Sequence, residues 1–515
     1  MNNIKDNQGM ISYAFIITVI LVFLAGVIFR FSNLSFASLW SDELYSVAAA
    51  IDVGKSVGWL DFEPKVIQEL TYHDSFITWK AADNTPPLFE SILILWAKAF
   101  GNSDFSLRAL PALLGSLVPI VFYLGASKYL SKGSALLGSM FLAFSPTLIE
   151  YSQEVRAYML SCLLSAIAIT QLVKYVLSYH VQGKLSNRYD SWFFVLVLLV
   201  LSYSHYTGFF TAGMLAAIYL FFVSFPQKRY FDIAKFLIVP ALIAPWMKLS
   251  WKAFEFSSKG GYGWRDYNVS DIYGYMLPKL MDFYAPNISI YFSILIFSLV
   301  AFSIVNIKEM KLVRIKSILA IALLIVIALL FMYSIYNAMT SKMWHPRYFA
   351  VSVPLVAMSL SLFMSDLRGT SQKIGTSGIA VIVFLFFNFS FHGFINPSQK
   401  PLKGNYRDAA KSFAEDIDSR TAVVLGGRQN AAFYLHYLYQ YSKNINDEII
   451  FDVSYKNDID EACEKINSNF DTVYMIRHVT YSAMKNDLSQ CLKMNFIGTT
   501  DFLDISVDKF RYQGK

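Results

Sequence analysis

The sequence predicts an α-helical polytopic membrane protein of about eleven transmembrane helices, carrying a small C-terminal α/β domain outside the membrane. Three observations predict it. Apolar residues make up 55% of the 515 and aromatic ones 17%, while charged residues reach only 16%, against roughly 25% in soluble globular chains. Apolar runs near 10–29, 109–127, 133–149, 157–177, 192–206, 208–224, 233–247, 290–305, 317–335, 348–364 and 378–394 each approach the roughly 17–25 residues that cross a bilayer as helix. Past residue 395 the runs stop, and short helical and strand-like patterns alternate instead. Residues 1–394 are therefore expected to form the membrane domain and 395–515 the appended one.

The first run has no small-residue cleavage site after it, so it is expected to stay as an anchor rather than be removed as a signal peptide. The two runs covering 192–224 are each short, and only the mildly polar Ser204-His205-Tyr206-Thr207-Gly208 separates them. Basic residues mark alternate loops: Lys5; Lys128 and Lys132; Lys184 and Arg188; Lys228 and Arg229; Lys308, Lys311, Arg314 and Lys316; Arg368 and Lys373. Cytoplasmic loops keep such residues. The N-terminus is therefore expected in the cytoplasm and the tail outside, in a multi-pass protein of a bacterial inner (plasma) membrane. The net charge of +7 follows from this loop bias, so it implies membrane lipids as neighbours and no nucleic-acid partner.

Between the first two runs lies a long outer loop, about 30–108. Its segment 87–100 opens after Pro86-Pro87 and stops at Gly101, as a helix should. It is short for a span and is expected to lie on or dip into the membrane surface. In the tail, helices are expected at 406–417, 430–441, 459–467 and 482–492, with strands at 421–425, 448–453, 472–476 and from 496. Alternation of this kind predicts a largely parallel sheet. Gly426-Gly427 follows the first strand, but the dinucleotide fingerprint is not completed. Of three cysteines, Cys162 sits in a span, while Cys463 and Cys491 share the exported tail, where oxidation is permitted. Whether they pair stays open, because sequence does not show whether their β-carbons approach.

The outer loop begins with Ser38-Leu39-Trp40-Ser41-Asp42-Glu43-Leu44-Tyr45-Ser46. Two readings fit its acid pair. In one, Ser41 caps a helix and Asp42 and Glu43 interact with its positive end; in the other, the acids do chemistry. Adjacent residues lie roughly 100° apart on a helix and on opposite faces of a strand. The carboxylates are therefore not expected to share one proton: one would react and the other would orient or bind. Under the predicted topology, the outer ends of the spans also collect Arg108, then Glu150-Tyr151-Ser152-Gln153-Glu154-Val155-Arg156-Ala157-Tyr158, then His205-Tyr206, then His345-Pro346-Arg347-Tyr348. Ionisable groups at membrane depth are costly and tend to face the protein interior. Each has a plainer reading too: Arg108 and Lys98 reach headgroups, Glu154 and Arg156 neutralise one another, His205 is a satisfied interfacial histidine. Their gathering on one face, from separate segments, favours a site.

One carboxylate among several cations suits attack by a hydroxyl on a group that bears an anionic leaving phosphate. The carboxylate takes the hydroxyl proton as the bond forms, and Arg and His donors stabilise the departing charge. The sequence has no Cys/His cluster with zinc spacing, no Ser-His-Asp arrangement and no Walker loop. No metal ligand set or cofactor is called for, although a divalent metal is left open, and the energy must arrive inside the substrate.

These motifs resemble the polytopic GT-C class of glycosyltransferases, specifically the family 39 group of protein O-mannosyltransferases and lipid A aminoarabinose transferases. The resemblance covers about residues 10–410. It rests on Leu39 to Ser46, on Thr85-Pro86-Pro87-Leu88 and on Gly101-Asn102-Ser103-Asp104-Phe105-Ser106-Leu107-Arg108-Ala109-Leu110-Pro111. It rests also on Ser145-Pro146 with Tyr151 to Tyr158, on His205-Tyr206-Thr207-Gly208 and on Arg347-Tyr348. Each motif is weak alone; their order and spacing are specific. The resemblance implies an inverting transfer of one sugar, on the outer face, from a polyprenyl phosphate donor like undecaprenyl phosphate. The acceptor would be a hydroxyl of an envelope glycolipid, glycan or protein. It implies Asp42 as the base, with Glu43 helping to position substrate, and Arg156, His345, Arg347 and Tyr348 holding the donor phosphate. Pro86 and Pro87 would shape the pocket floor, with Tyr158, His205, Arg108 and Glu154 completing the expected binding set. One departure stands out: relatives acting on lipid A carry Glu-Lys before the double proline, where this chain has Asn84-Thr85. That removes one phosphate-binding cation and puts aminoarabinose transfer in doubt.

Two other classes compete. A transporter or flippase of a lipid-linked sugar would commonly show paired repeats and charges near the bilayer midplane; here no repeat is visible and the polar groups gather at one face. A membrane-anchored glycan-binding protein would use the tail as receptor and tolerate alanine at the acid pair.

Overall fold

The computed structural model describes residues 2–51, 76–183, 191–259, 265–305, 311–366, 369–397, 404–426, 428–446, 448–453 and 456–512. The loop cations Lys184, Arg188, Lys308 and Arg368, and Gly427 of the glycine pair, lie outside these residues. The chain forms two compact units. One comprises Met1–Ser32, Thr85–Phe89 and Arg108–Pro397; the other comprises Asn33–Asn84, Glu90–Leu107 and Ser398–Lys515.

Each of the eleven apolar runs is helical, but they do not make eleven straight spans. Six described helices are long and apolar enough to cross a membrane: Asp104–Ala126, Tyr158–His180, Tyr206–Ser224, Arg314–Ser341, Pro346–Ser365 and Gly375–Ile395. Three more segments are pairs bent by 54°, 77° and 80°, which brings the number to nine if each pair is one span. Phe15–Phe31 and Ser191–Ser202 are shorter apolar helices.

The run expected at 133–149 shows why a span breaks. Pro146 has no N–H to give the preceding helix Lys132–Phe144, so a second helix, Pro146–Ser152, starts there with Ser145 as its N-cap. The break exposes helix-end carbonyls, and a buried arginine covers them. Arg30, 0% exposed, donates from Nη1 to the Ala143 carbonyl at 2.7 Å and from Nη2 to the Leu142 carbonyl at 2.9 Å. In return, Gln153 Nε2 reaches the Phe29 and Ser32 carbonyls at 3.0 and 2.9 Å, where the first helix ends. This exchange braces the Gln153-to-Arg156 segment against the end of Asn2–Phe31. Around it, Phe122, Phe141, Leu172, Leu198, Leu323 and Leu355 belong to the packed interior of the helical unit.

The second unit holds the outer-loop helices Ser41–Ala50 and Phe76–Ala82 and a five-stranded sheet. Leu88–Phe100, most of which belongs to this unit, ends as expected at Gly101, whose φ of 84° stops the helix in the left-handed region. The strands are β1 (Thr421–Gly426), β2 (Ile450–Val453), β3 (Thr472–His478), β4 (Asn495–Phe502) and β5 (Ile505–Arg511), in the order β2-β1-β3-β5-β4. β1 pairs in parallel with β2 and β3, but β5 runs antiparallel to both β3 and β4. The largely parallel sheet expected from alternation is therefore mixed. Only Leu503 and Asp504 separate β4 from β5, too short a link for a parallel crossover. Helices Lys456–Asn469 and Ser482–Cys491 cover one face with Ile459, Ile466 and Leu488 over Val424, Val473 and Met475. The Cys463–Cys491 disulfide joins these two helices, with Cα atoms 5.9 Å apart.

Candidate functional site

The acid pair opens a helix, Ser41–Ala50, with Trp40 as its N-cap. The cap is made by the acid three residues on: Trp40 N–H donates to Glu43 Oε2 at 3.1 Å. The indole side chain has no acceptor to complete the reciprocal half. Glu43 is 0% exposed, whereas Asp42, one position earlier on the turn, is half-buried. The two carboxylates thus part, as their angular separation requires: Glu43 bonds the helix end, while Asp42 is a half-buried residue whose Oδ2 is enclosed by protein.

The acid helix is held on several sides within its unit. From its middle, the Ser46 hydroxyl donates to Glu90 Oε1 at 2.9 Å. Glu90 in turn pairs with the fully buried Lys80 at 3.2 Å, and Lys80 also pairs with Asp83 at 2.7 Å. Lys80 is the cation nearest in sequence before Asn84-Thr85, and it serves this carboxylate network. Asn84 itself adopts φ 51°, a left-handed conformation that Asn accepts more readily than longer or β-branched residues. At the entry to the helix, the Tyr437 hydroxyl accepts from Leu39 N–H at 2.8 Å and donates to Asp104 Oδ1 at 3.1 Å. Arg407 Nη1 donates to Asp104 Oδ2 at 2.9 Å. Burial works against the Arg407 charge, and Asp104, Asp408 and Tyr437 outweigh it, so the guanidinium pKa stands above its ordinary value. Burial, and then the carboxylates of Asp504 and Asp42, hold the Tyr406 phenol above its ordinary value as well. Asp42 is therefore an electrostatic neighbour of Tyr406.

In the helical unit, a second group of expected site residues comes together. Tyr151 meets Tyr158 edge-on at 5.3 Å between ring centroids; Tyr158 stands 6.3 Å from His205, and His205 5.8 Å from Tyr348. Tyr348 lies 6.5 Å from His345, with the Arg347 guanidinium 5.8 Å from its ring. Both histidines are N-caps. His205 Nδ1 accepts from Thr207 N–H at 3.2 Å, and His345 Nδ1 accepts from Arg347 N–H at 3.2 Å. A ring nitrogen that accepts must carry its lone pair, so in the neutral ring the hydrogen is on Nε2. In the neutral ring each imidazole is thereby an Nε2 donor at the start of an apolar helix, and both rings and the Arg347 guanidinium neighbour Tyr348. Such a set suits an anion with several acceptor oxygens.

Local packing explains the rest of the His205-Tyr206-Thr207-Gly208 motif. A β-carbon at Gly208 would collide with the Leu201 carbonyl oxygen, so only glycine lets helices Ser191–Ser202 and Tyr206–Tyr219 meet this closely. Ser161 and Ser204 hydrogen-bond at 2.9 Å, tying the turn to the Tyr158–Gln182 helix. The double-proline turn joins the same place, with Leu88 N–H donating to the Tyr203 carbonyl at 3.4 Å; Pro86 is buried and Pro87 half-buried. Glu154 is buried and Arg156 half-buried in the segment that Gln153 braces. Electrostatically, Tyr151 is a neighbour of both Glu154 and Arg347. Arg108 is 6% exposed, enclosed by protein, whereas Lys98 is exposed. Among the described residues, no group of three or more His, Cys, Asp or Glu is arranged to hold a metal.

Tyr151, Asp104, Arg407 and Tyr437 join the arrangement without being among the site residues expected from sequence, although Tyr151 stands in the Tyr151-to-Tyr158 motif. Asp104 stands in the Gly101-to-Pro111 motif. Tyr437 had no signal, since its bond to Asp104 crosses 333 positions.

No family model and no curated protein matches the chain. Among solved structures it is similar to ArnT from Cupriavidus metallidurans bound to undecaprenyl phosphate, at 13% identity and a TM-score of 0.57, covering 97% of both chains. It is similar also to ArnT from that organism in the apo state, at 12% identity and a TM-score of 0.58, covering 98% of both chains. The chain has the GT-C fold that its motifs implied.

Proposed function

We propose that this multi-pass membrane protein is an inverting glycosyltransferase that moves one sugar from a polyprenyl phosphate to a hydroxyl of an envelope glycolipid, glycan or protein. The observation that carries the proposal is the likeness, over 97% of both chains, to a structure that holds undecaprenyl phosphate. The carboxylate of half-buried Asp42 on a capped helix and the Arg347 guanidinium near two imidazoles add chemical support.

In this reading Asp42 takes the acceptor's hydroxyl proton as the oxygen forms a bond to the anomeric carbon. The bond from that carbon to the phosphate oxygen breaks, and polyprenyl phosphate leaves with the electron pair. Arg347, His345, His205 and Arg156 are assigned the charge that grows on the phosphate, with Tyr348 and Tyr158 as the rings that fix them. Arg108, Glu154, Pro86 and Pro87 shape the donor pocket. Glu43 acts through the helix it caps. The reaction lies on the outer face, with the N-terminus cytoplasmic and the C-terminal domain outside, a reading the bias of the loop cations supports.

The test is transfer of labelled sugar from undecaprenyl-phosphate-linked donors to membrane acceptors by the purified chain in liposomes. Asp42→Asn is expected to lower turnover by about 10²- to 10⁴-fold, the usual contribution of a general base, with undecaprenyl phosphate binding kept. Turnover retained in Asp42→Asn would remove Asp42 from the role. Label that changes leaflet without becoming covalently attached would make the chain a transporter.

A further inference from the structure

We propose that the C-terminal α/β domain is the mount of the acid helix, with Arg407 and Tyr437 as positioning residues for Asp42; this rests on the reading of Asp42 as the base. Residues 35–39 are irregular backbone leading into the helix, and irregular backbone must find partners for its polar groups. Two residues of the C-terminal domain supply them. Arg407 donates from Nη1 to the Ser35 carbonyl at 2.8 Å, from Nη2 to the Phe36 carbonyl at 3.1 Å, and from its backbone N–H to Ser38 Oγ at 3.1 Å. Tyr437 accepts from Leu39 N–H, the last amide before the N-cap. Asp104 locks the two together by accepting from both.

The bonds of Arg407 to the Ser35 and Phe36 carbonyls are exposed, whereas the part built on Tyr437, Ser38 and Asp104 is buried and matched bond for bond. Tyr437 is 0% exposed, and Ser38 and Asp104 are 5% and 6% exposed. The one phenolic hydrogen goes to Asp104 while a lone pair takes Leu39 N–H. Satisfied buried networks of this kind favour one arrangement over its neighbours. An ordinary surface loop would leave Leu39 N–H and Ser38 Oγ to water. The same helix that carries Tyr437 also carries Phe433, which meets Tyr45 of the acid helix edge-on at 5.0 Å. The entry segment and the acid helix are thus gripped by one element. Tyr406, next to Arg407, faces Phe433 at 5.7 Å and is the electrostatic neighbour of Asp42.

The experiment compares wild type, Tyr437→Phe, Arg407→Gln and the surface control Arg420→Gln as full-length protein in nanodiscs. Two quantities are read: amide hydrogen exchange across 36–46, and sugar transfer from an undecaprenyl-phosphate-linked donor. Tyr437→Phe and Arg407→Gln are expected to speed exchange over 36–46 at least about tenfold while β1 and β3 keep their protection. Turnover is expected to fall about tenfold with KM for the donor unchanged, the signature of a misplaced base rather than a lost ligand. Arg420→Gln should change neither. Unchanged exchange over 36–46 in both variants overturns the mount, as does faster exchange with full turnover. If wild type transfers no sugar, the glycosyltransferase reading fails. The exchange arm still decides whether the domain holds the acid helix.

Discussion

The acid helix and the histidine-arginine-tyrosine cluster are held by opposite means. In the cluster each histidine caps the residue two positions ahead, Thr207 for His205 and Arg347 for His345. Short sequence neighbours therefore set its donors, and ring contacts between segments complete it. In the acid helix only the Glu43 cap is local. Its entry is fixed from Tyr437 and Arg407, 398 positions from Leu39 and 369 from Ser38. The lesson concerns robustness: the cluster should survive changes elsewhere in the chain, whereas the acid helix should respond to substitutions in a domain that carries none of the proposed reacting groups.

Arg347→Ala is the strongest way to break the comparison, because it removes the guanidinium while leaving both caps, which use the backbone N–H of Thr207 and of residue 347. Transfer measured as kcat/KM is expected to fall about a hundredfold, the scale of losing one preorganised donor to developing charge. Arg347→Lys should recover part of that, since an ammonium keeps the charge without the planar fork. Activity within twofold of wild type in Arg347→Ala would take the cluster out of the reaction. Gly208→Ala probes the same region through packing. The new methyl meets the Leu201 carbonyl, and overpacking of this kind costs about 1–3 kcal/mol. A lower thermal midpoint of the detergent-solubilised chain is expected, with exchange over 36–46 unchanged; an unchanged midpoint would mean that the two helices separate freely.

What could be read in advance divides along the same line. The apolar runs are long and periodic, and Ser145-Pro146, the double proline and Gly101 announce their own breaks, so helix ends were legible to within a few residues. His345-Pro346-Arg347-Tyr348 was legible because its chemistry and its geometry lie in four consecutive residues. The antiparallel turn of β4 into β5 was hidden because one continuous strand-like run contained a two-residue link at Leu503-Asp504. The Arg407-Asp104-Tyr437 grip was hidden for a different reason. Three ordinary polar residues far apart in sequence become a network only when folding buries them together, and no local pattern encodes that meeting. The same holds for Lys80, which looks like a surface cation in sequence and is enclosed between Asp83 and Glu90.

The smallest expected effect is also the sharpest separation of the two acids. Glu43→Gln keeps an oxygen that accepts Trp40 N–H, as glutamine does in a capping box, but removes the carboxylate. If Glu43 serves only the helix end, turnover should stay within about threefold of wild type, because the bond at the N-cap persists. Glu43→Ala, which loses that bond, should cost about 1 kcal/mol of stability and loosen exchange over 36–46 as Tyr437→Phe does. The same assay as for Asp42→Asn decides. A loss in Glu43→Gln that matches Asp42→Asn would give both carboxylates chemistry, despite the full enclosure of one. A small loss in Glu43→Gln beside a large one in Asp42→Asn would show that two adjacent acids, a single helical step apart, divide between folding and reaction.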